Sequence, residues 1–254
     1  MNNLFSVEGK IAVVTGGSGG IGAMITEGLV KNGVKTYITA RNEERLQAAV
    51  EKFSAYGECI GIASNLGTNE GVKQFAQAIA ERESQLDILV NNAGATWGAD
   101  IDDFPENGWD KVMDLNVKSI FFLTQALLPL LRCSGTPEDP ARVINIGSIN
   151  GITHPGMNNY SYSASKAAVH QLTRHLGTDL AKDNVNVNAI APGFFPSKMT
   201  AHMLGDEAWM GHIPRNRLGS AEDAAGTRIY LSSRASAWVT GQTLVLDGGL
   251  VAAS

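Results

Sequence analysis

The stretch Ile11-Ala12-Val13-Val14-Thr15-Gly16-Gly17-Ser18-Gly19-Gly20-Ile21-Gly22 decides the fold. Its opening residues form the near-continuous apolar run of a strand buried on both faces. Glycines then supply a turn. Ile21, Ile25 and Leu29 recur every four residues, so a helix follows and stops at Asn32-Gly33. A strand, a glycine-rich turn and a helix gather free backbone N–H groups and a positive dipole end at one point. A pyrophosphate is the natural occupant, because glycines let the backbone approach an anion without Cβ atoms in the way. Two registers fit: Gly17, Gly19 and Gly22 as G-x-G-x-x-G, or Thr15-Gly16, Gly20 and Gly22 as T-G-x-x-x-G-x-G. Both read as a dinucleotide site in this context, against the plainer reading of a tight turn. No Gly-Lys-Ser/Thr follows, which argues against a nucleoside-triphosphate loop.

Working outward, further strands are expected over 36–40, 59–63, 88–90, 142–146, 185–190 and 243–246. Helices are expected over 43–54, 72–80, 109–131 and around Tyr162, and 134–140 is a loop by its turn chemistry. In the Tyr162 helix, Ala164, Ala168, Leu172, Leu176 and Leu180 read as the inward stripe. Alternating strand and helix without linker or repeat predict one α/β domain over 1–254, a doubly wound, seven-stranded parallel sheet with helices on both faces. In such sheets ligands sit beyond the carboxyl ends of the strands. The glycine loop, Asn91 to Gly94, Ser148 and Pro192-Gly193 all follow strands and share that edge.

Bulk properties exclude some functions. The chain has 254 residues, 44% hydrophobic and 18% charged, enough for one large core. Its formal charge of −5, from 20 basic against 25 acidic residues, disfavours nucleic acid or an anionic membrane as partner. A local basic pocket for one phosphate remains compatible. Two cysteines, Cys59 and Cys133, make neither a disulfide framework nor a metal cluster and suit a reduced compartment. With no leader pattern at the N-terminus and no apolar run of membrane-spanning length, a soluble, cytoplasmic protein without a metal is expected.

Two further stretches carry chemistry. Tyr162 and Lys166 lie one turn apart if their segment is helical, fourteen residues beyond Ser148. A phenol ionises near pH ~10, and a fixed ammonium nearby pulls that value toward the working range. Such a pair suits moving a proton to or from an oxygen, although an isolated Tyr-x-x-x-Lys is usually a solvated pair. At the end of the second strand stands Ala40-Arg41-Asn42. A carboxylate there would accept from the ribose hydroxyls of NAD; Ala40 cannot, whereas Arg41 offers a cation to a 2′-phosphate. NADP(H) is therefore favoured over NAD(H), with Glu43 and Glu44 close enough to weaken the case and a solvated surface arginine as the plainer reading.

These parts together identify the chain as resembling the short-chain dehydrogenase/reductase family, with its Rossmann-type fold, over essentially its whole length. The resemblance rests on Thr15-Gly16-x-x-x-Gly20-x-Gly22, Asn91-Asn92-Ala93-Gly94, Asn116, Ser148, Tyr162-x-x-x-Lys166 and Pro192-Gly193. Within the family, Ser54-Ala55-Tyr56-Gly57, Trp97-Gly98 and the run 192–200 are similar to the rhamnolipid-type 3-oxoacyl reductase and carbonyl reductase branch. The resemblance implies that Tyr162 protonates a carbonyl oxygen and that Ser148 hydrogen-bonds it. It implies that Lys166 tunes the tyrosine and binds the nicotinamide ribose, and that Asn116 holds a water linking Lys166 to solvent. Cofactor contacts are implied for Gly16, Ser18, Gly20, Ile21, Gly22, Arg41, Asn65, Leu66, Asn92, Ala93, Gly94, Tyr162, Lys166, Pro192, Gly193 and Ser197. A homotetramer or homodimer is implied as well, in keeping with the small-residue face Ala164, Ala167 and Ala168.

Three departures stand out. NADP-using relatives often carry a basic residue where this chain has Gly19, which leaves Arg41, helped by Ser18, with more of the discrimination. Asn65 replaces a common aspartate at the adenine, and Ser197 takes the place of a threonine near the carboxamide. A substrate lid is expected at about 194–217. Phe194, Phe195, Met199, Met203, Leu204, Trp209 and Met210 there, with Trp97, Ile152 and Met157, suit a bulky, apolar or oxoacyl ketone as substrate. The same residues equally suit a lid packed on the protein itself. An NAD(P)-dependent alcohol or polyol dehydrogenase working oxidatively, or a non-catalytic dinucleotide sensor, are the alternatives.

Overall fold

The structure is a computed structural model that describes residues 3–154, 156–197 and 211–253. Seven strands form one parallel sheet: β1 (Ile11–Thr15), β2 (Lys35–Ala40), β3 (Cys59–Ala63), β4 (Ile88–Asn91), β5 (Ala141–Ile146), β6 (Val185–Pro192) and β7 (Thr243–Leu246). Their order is β3-β2-β1-β4-β5-β6-β7, so the chain reverses direction across the sheet between β1 and β4. That reversal opens a crevice at the carboxyl ends, where parallel sheets place ligands.

Helices α1 (Gly20–Lys31), α2 (Glu43–Ser54), α3 (Asn69–Ala80), α4 (Glu106–Met113), α5 (Ser119–Ser134), α6 (Tyr160–Asp179) and α7 (Ala221–Ser232) cover both faces. Successive strand residues serve opposite layers. Val14, Ile38, Val90 and Ile144 pack with Ile25, Leu29, Phe53 and Leu231 of α1, α2 and α7. Val13, Tyr37, Leu89 and Val143 pack with Phe75, Ile79, Leu123, Leu127 and Leu131 of α3 and α5. This period of two is what a sheet buried on both faces demands.

Three expectations are corrected. The helix expected over 109–131 is broken at Asp114–Lys118 by a π-helical turn between α4 and α5. Together the pieces run from Glu106 to Ser134 and include an 18-residue stretch of mean hydropathy 1.2, enough by length and composition to cross a membrane. Here Ile120, Leu123, Leu127 and Leu131 face the sheet, as in the core helix of a layered α/β protein. The inward stripe of α6 is also different. Ser161, Ser165, Val169, Thr173 and Gly177 are buried, whereas Ala164 is exposed and Leu172 and Leu176 are only half-buried. Small side chains, with Ser165 and Thr173 hydrogen-bonded, let this helix lie close to the sheet. Of the expected stripe, Leu176 and Leu180 do pack on the core at the end of the helix, whereas Ala164 and Leu172 lie toward its outer side. A Cβ on Gly177 would stand 2.5 Å from the Gly241 nitrogen. Third, α7 was not anticipated, although Ser220 and Asp223 form a reciprocal capping box at its start.

Candidate active site

The glycine turn follows the T-G-x-x-x-G-x-G register. Gly16 and Gly20 have φ of 65° and 53°, the left-handed region where glycine carries no Cβ penalty. At Gly22 a Cβ would collide with the Gly16 carbonyl oxygen and with the Asn92 amide. The turn thus folds back on itself and on the loop after β4. Thr15 locks the two together: its hydroxyl accepts from the backbone N–H of Asn92 and of Ala93, both at 2.9 Å. Asn92 Nδ2 donates to the Thr15 carbonyl at 2.8 Å.

A second set of buried amides positions the Tyr162 helix. Asn91 Nδ2 donates to Asn145 Oδ1 at 2.9 Å, and Asn145 Nδ2 donates to Thr173 Oγ1 on α6 at 3.0 Å. Asn145 and Thr173 escaped the sequence reading, although an asparagine inside the apolar strand Val143-Ile144-Asn145-Ile146 is the kind of buried polar group that needs a partner. These bonds tie β4, β5 and α6 into one rigid frame.

Ser148, Tyr162 and Lys166 converge on a cavity of about 360 Å³, lined also by Gly16, Ser18, Gly20, Ile21, Asn92, Ala93, Gly94, Pro192 and Ser197. Lys166 Nζ lies 5.5 Å from the centroid of the Tyr162 ring and donates to the Ile146 carbonyl at 2.7 Å. Burial pulls Lys166 down to about 8. Tyr162 shifts the other way from the sequence expectation. Burial raises its phenol above the ordinary value, and a hydrogen bond with Ser148 opposes the rise. The physical reason is that the ammonium faces a carbonyl rather than the phenol oxygen. Removing both groups from water then weakens each one's charged form.

Asn116 is the one buried residue of the π-helical turn. Its Oδ1 accepts from Ala95 N–H at 2.8 Å, while Nδ2 donates to the Ala95 carbonyl at 2.9 Å and to Ser165 Oγ at 3.0 Å. Its side chain is therefore a clamp between the β4 loop and α6. A Cβ at Gly94 would stand 3.3 Å from Asn116 Oδ1 and 3.8 Å from Lys166 Nζ, so this glycine keeps the passage between them open.

A second cavity of about 490 Å³ shares Gly16, Ser18, Ala93 and Gly94 with the first and extends to the end of β2. Ala40, Arg41, Asn42, Arg45, Ser64 and Leu66 line it. Glu43 and Glu44 line a different cavity with Gly61 and Ala63, so they do not oppose Arg41 there. Asn65 lies between two lining residues, with its Oδ1 accepting from Gly67 N–H at 3.2 Å. Gly193 is held against the end of β7, where a Cβ would stand 2.8 Å from the Asp247 Cβ. Together the two cavities make an extended, glycine-floored cleft with an alanine and a cation at one end and Tyr162 at the other. Its length and chemistry fit a dinucleotide bearing a ribose phosphate.

The expected substrate lining is only partly found. Phe195 is 2% exposed and packs on Gly219, and with Phe194 it lines a separate cavity of about 280 Å³. Trp97 packs on Gly108, and Ile152 is exposed. Tyr160 lies edge-on to Phe104 at 5.8 Å, away from Lys166. Met199, Met203, Leu204, Trp209 and Met210 fall outside the described residues.

Comparison with known proteins accords with this arrangement. The family model for short chain dehydrogenase matches residues 10–208. A 3-oxoacyl-[acyl-carrier-protein] reductase of rhamnolipid biosynthesis from Pseudomonas aeruginosa is 48% identical over 253 residues, covering 98% of this chain and 99% of its own. A gluconate 5-dehydrogenase from Gluconobacter oxydans is 35% identical, covering 98% and 97%. Among solved structures, the Pseudomonas aeruginosa RhlG/NADP active-site complex superposes with a TM-score of 0.95 at 48% identity, covering 99% of this chain and all of that one. A gluconate 5-dehydrogenase from Burkholderia cenocepacia, in complex with NADP and tartrate, gives 0.91 at 30% identity, with 99% of each chain covered. On fold, site and sequence alike, the chain belongs to the short chain dehydrogenase family of oxidoreductases.

Proposed function

We propose that the protein is an NADP(H)-dependent carbonyl reductase that converts a ketone to a secondary alcohol, with Tyr162 as the proton donor. The observation that carries this reading is the meeting of Ser148, Tyr162 and Lys166 in one cavity with the glycine turn. When bound, the dinucleotide supplies the hydride. The chain's residues do the rest. Ser148 donates a hydrogen bond to the substrate oxygen and steadies the charge that develops there. Tyr162 holds its proton through neutral pH, because burial raises its phenol, and releases it to that oxygen. Asn116 ties the loop after β4 to α6 through Ala95 and Ser165, and Lys166, held by the Ile146 carbonyl, stands beside the Tyr162 ring, where the pair serves the reprotonation of Tyr162.

NADP(H) as cofactor is supported by Ala40 and Arg41 at the end of β2 and by the NADP in the complexes of two structural neighbours. An apolar or oxoacyl ketone as substrate is supported by the Pseudomonas relative and by the methionines and aromatics of 194–217. The gluconate dehydrogenases among the relatives favour one second reading, oxidation of a polyol at the same residues. A homo-oligomer, dimer or tetramer, is supported by the small, apolar outer side of α6 at Ala164, Ala167, Ala168 and Leu172. A cytoplasmic setting is supported by two free cysteines, one of them exposed.

The test is Tyr162→Phe, assayed by initial rates with NADPH and NADH across aryl, oxoacyl and polyol-derived ketones. Turnover should fall by about 10²–10⁴-fold with cofactor binding retained. Undiminished turnover would discard the mechanism, and fastest turnover on a sugar-type ketone would select the second reading.

A further inference from the structure

Arg45 was not among the residues that the sequence singled out. It stands on the first turn of α2, whose start is fixed by Asn42: the Asn42 side chain accepts from the Arg45 N–H at 2.8 Å. Arg41 and Arg45 both line the cavity at the end of β2, together with Ser18. Arg45 alone of the two also lines the cavity that holds the glycine turn and Tyr162. Both arginines are exposed, and among the described residues neither guanidinium is engaged by a carboxylate or any other partner. The nearby carboxylates Glu43, Glu44 and Glu51 line the separate cavity beside β3. The surface of α2 is thus sorted by charge, with two unpaired cations toward the cleft.

The glycine turn supplies no cation of its own. Gly19 lines the same cavity as Arg45, yet it has φ −163° and no atom within 4 Å of where a Cβ would sit. An extended backbone and open space would accept any residue there. The chain has left that position empty and placed a guanidinium on α2 across from it.

We propose that Arg45 is a second ligand for the 2′-phosphate and so a determinant of cofactor choice. In this arrangement Arg41 and Arg45 hold one phosphate monoester between two guanidiniums, with Ser18 as a third donor. A monoester carries nearly two negative charges at neutral pH, and planar guanidiniums pair with its oxygens through two parallel hydrogen bonds each. The inference deepens the NADP(H) reading above and rests on it.

The test uses the full chain and its Arg45→Ala and Arg41→Ala variants. Each is titrated with adenosine 2′,5′-bisphosphate and with 5′-AMP, and assayed with NADPH and NADH. Arg45→Ala should weaken the bisphosphate and raise KM for NADPH about tenfold, with 5′-AMP and NADH changed less than twofold. The difference should shrink in high salt, as expected for solvated charges. Gly19→Arg placed in the Arg45→Ala background should restore most of the loss, because Gly19 lines the glycine-turn cavity that Arg45 also reaches, beside Ser18, which lines both cavities. If Arg41→Ala is deleterious and Arg45→Ala is silent, the role of Arg45 is refuted while NADP(H) stands. If Arg45→Ala weakens both nucleotides equally, Arg45 serves the pyrophosphate and its role in choice is refuted. If neither variant matters, the NADP(H) reading falls as well.

Discussion

Replacing Lys166 by methionine should make the protein more stable while removing its activity. Lys166 is 4% exposed, and among the described residues its hydrogen-bond partner is the Ile146 carbonyl at 2.7 Å. Burial alone takes its pKa from 10.5 to about 8. A change of that size corresponds to a penalty of about 3 kcal/mol on the charged form in the folded state. Methionine keeps the length and the unbranched apolar stem but needs no solvation. The bond to Ile146 is lost in the exchange, which takes back about 1–2 kcal/mol. The net gain at pH 7 is then about 1–2 kcal/mol, or about 2–8 °C in Tm for a chain of this size.

The pH dependence distinguishes this cause from a packing effect. The folded pKa lies below the unfolded one, so below pH 8 the lysine is charged in both states and the penalty is fully present. As pH rises through about 8 toward 10.5, the folded protein gives up the proton first and the penalty fades. The gap in Tm between Lys166→Met and the parent should therefore close between pH 7 and pH 10. Thermal unfolding of the cofactor-free protein at fixed concentration, followed by circular dichroism, reads the gap. Initial rates in parallel should show turnover at least ~10²-fold lower. A variant less stable than the parent at pH 7, or a gap that is flat to pH 10, would refute the reasoning.

Gly22→Ala should cost about 1–3 kcal/mol by overpacking against the Gly16 carbonyl and should weaken dinucleotide binding, read by urea unfolding and cofactor titration; a silent substitution would remove the close approach. Leu172→Glu should shift the protein to a smaller species in sedimentation without unfolding it, since Leu172 is half-buried on the small, apolar outer side of α6 with Ala164 and Ala168; an unchanged species would take that face out of any interface. Asp223→Ala should destabilise by about 1 kcal/mol through loss of the α7 capping box. Arg217 and the Ser220 N–H hold the Asp223 carboxyl below its usual range, so that contribution is fully present above the ordinary carboxylate pKa and is lost progressively as pH falls from there through the lowered folded value; a difference that persists in strong acid would point elsewhere.

The alternation of apolar runs and glycine turns made the sheet and its active edge legible, because both follow from burial on two faces. Four features were not legible, each for a physical reason. The stripe of α6 held only at its end, at Leu176 and Leu180, because hydrophobicity does not reveal that small residues such as Ser161, Ser165 and Thr173 form most of the sheet-facing side. The direction of the Tyr162 shift depends on where Lys166 Nζ points, which spacing along a helix does not set. Phe195 reads as lining in sequence but is core in the fold, since its partner Gly219 lies 24 residues later in the chain. Arg45 was masked by the glutamates around it, and only the wrapping of α2 separates their charges.

The π-helical turn at Asp114–Lys118 has a consequence for how this chain can change in length. A wider turn holds one residue more than an α-helical one, so α5 runs about 100° out of phase with α4. Deleting any one residue of the turn would heal the helix and swing its two halves against each other by that angle. Gly108 would leave the Trp97 ring, or Asn116 would leave Ala95 and Ser165. Substitutions at the exposed positions of the turn leave this phase untouched. The segment must keep its residue count more strictly than its residue types.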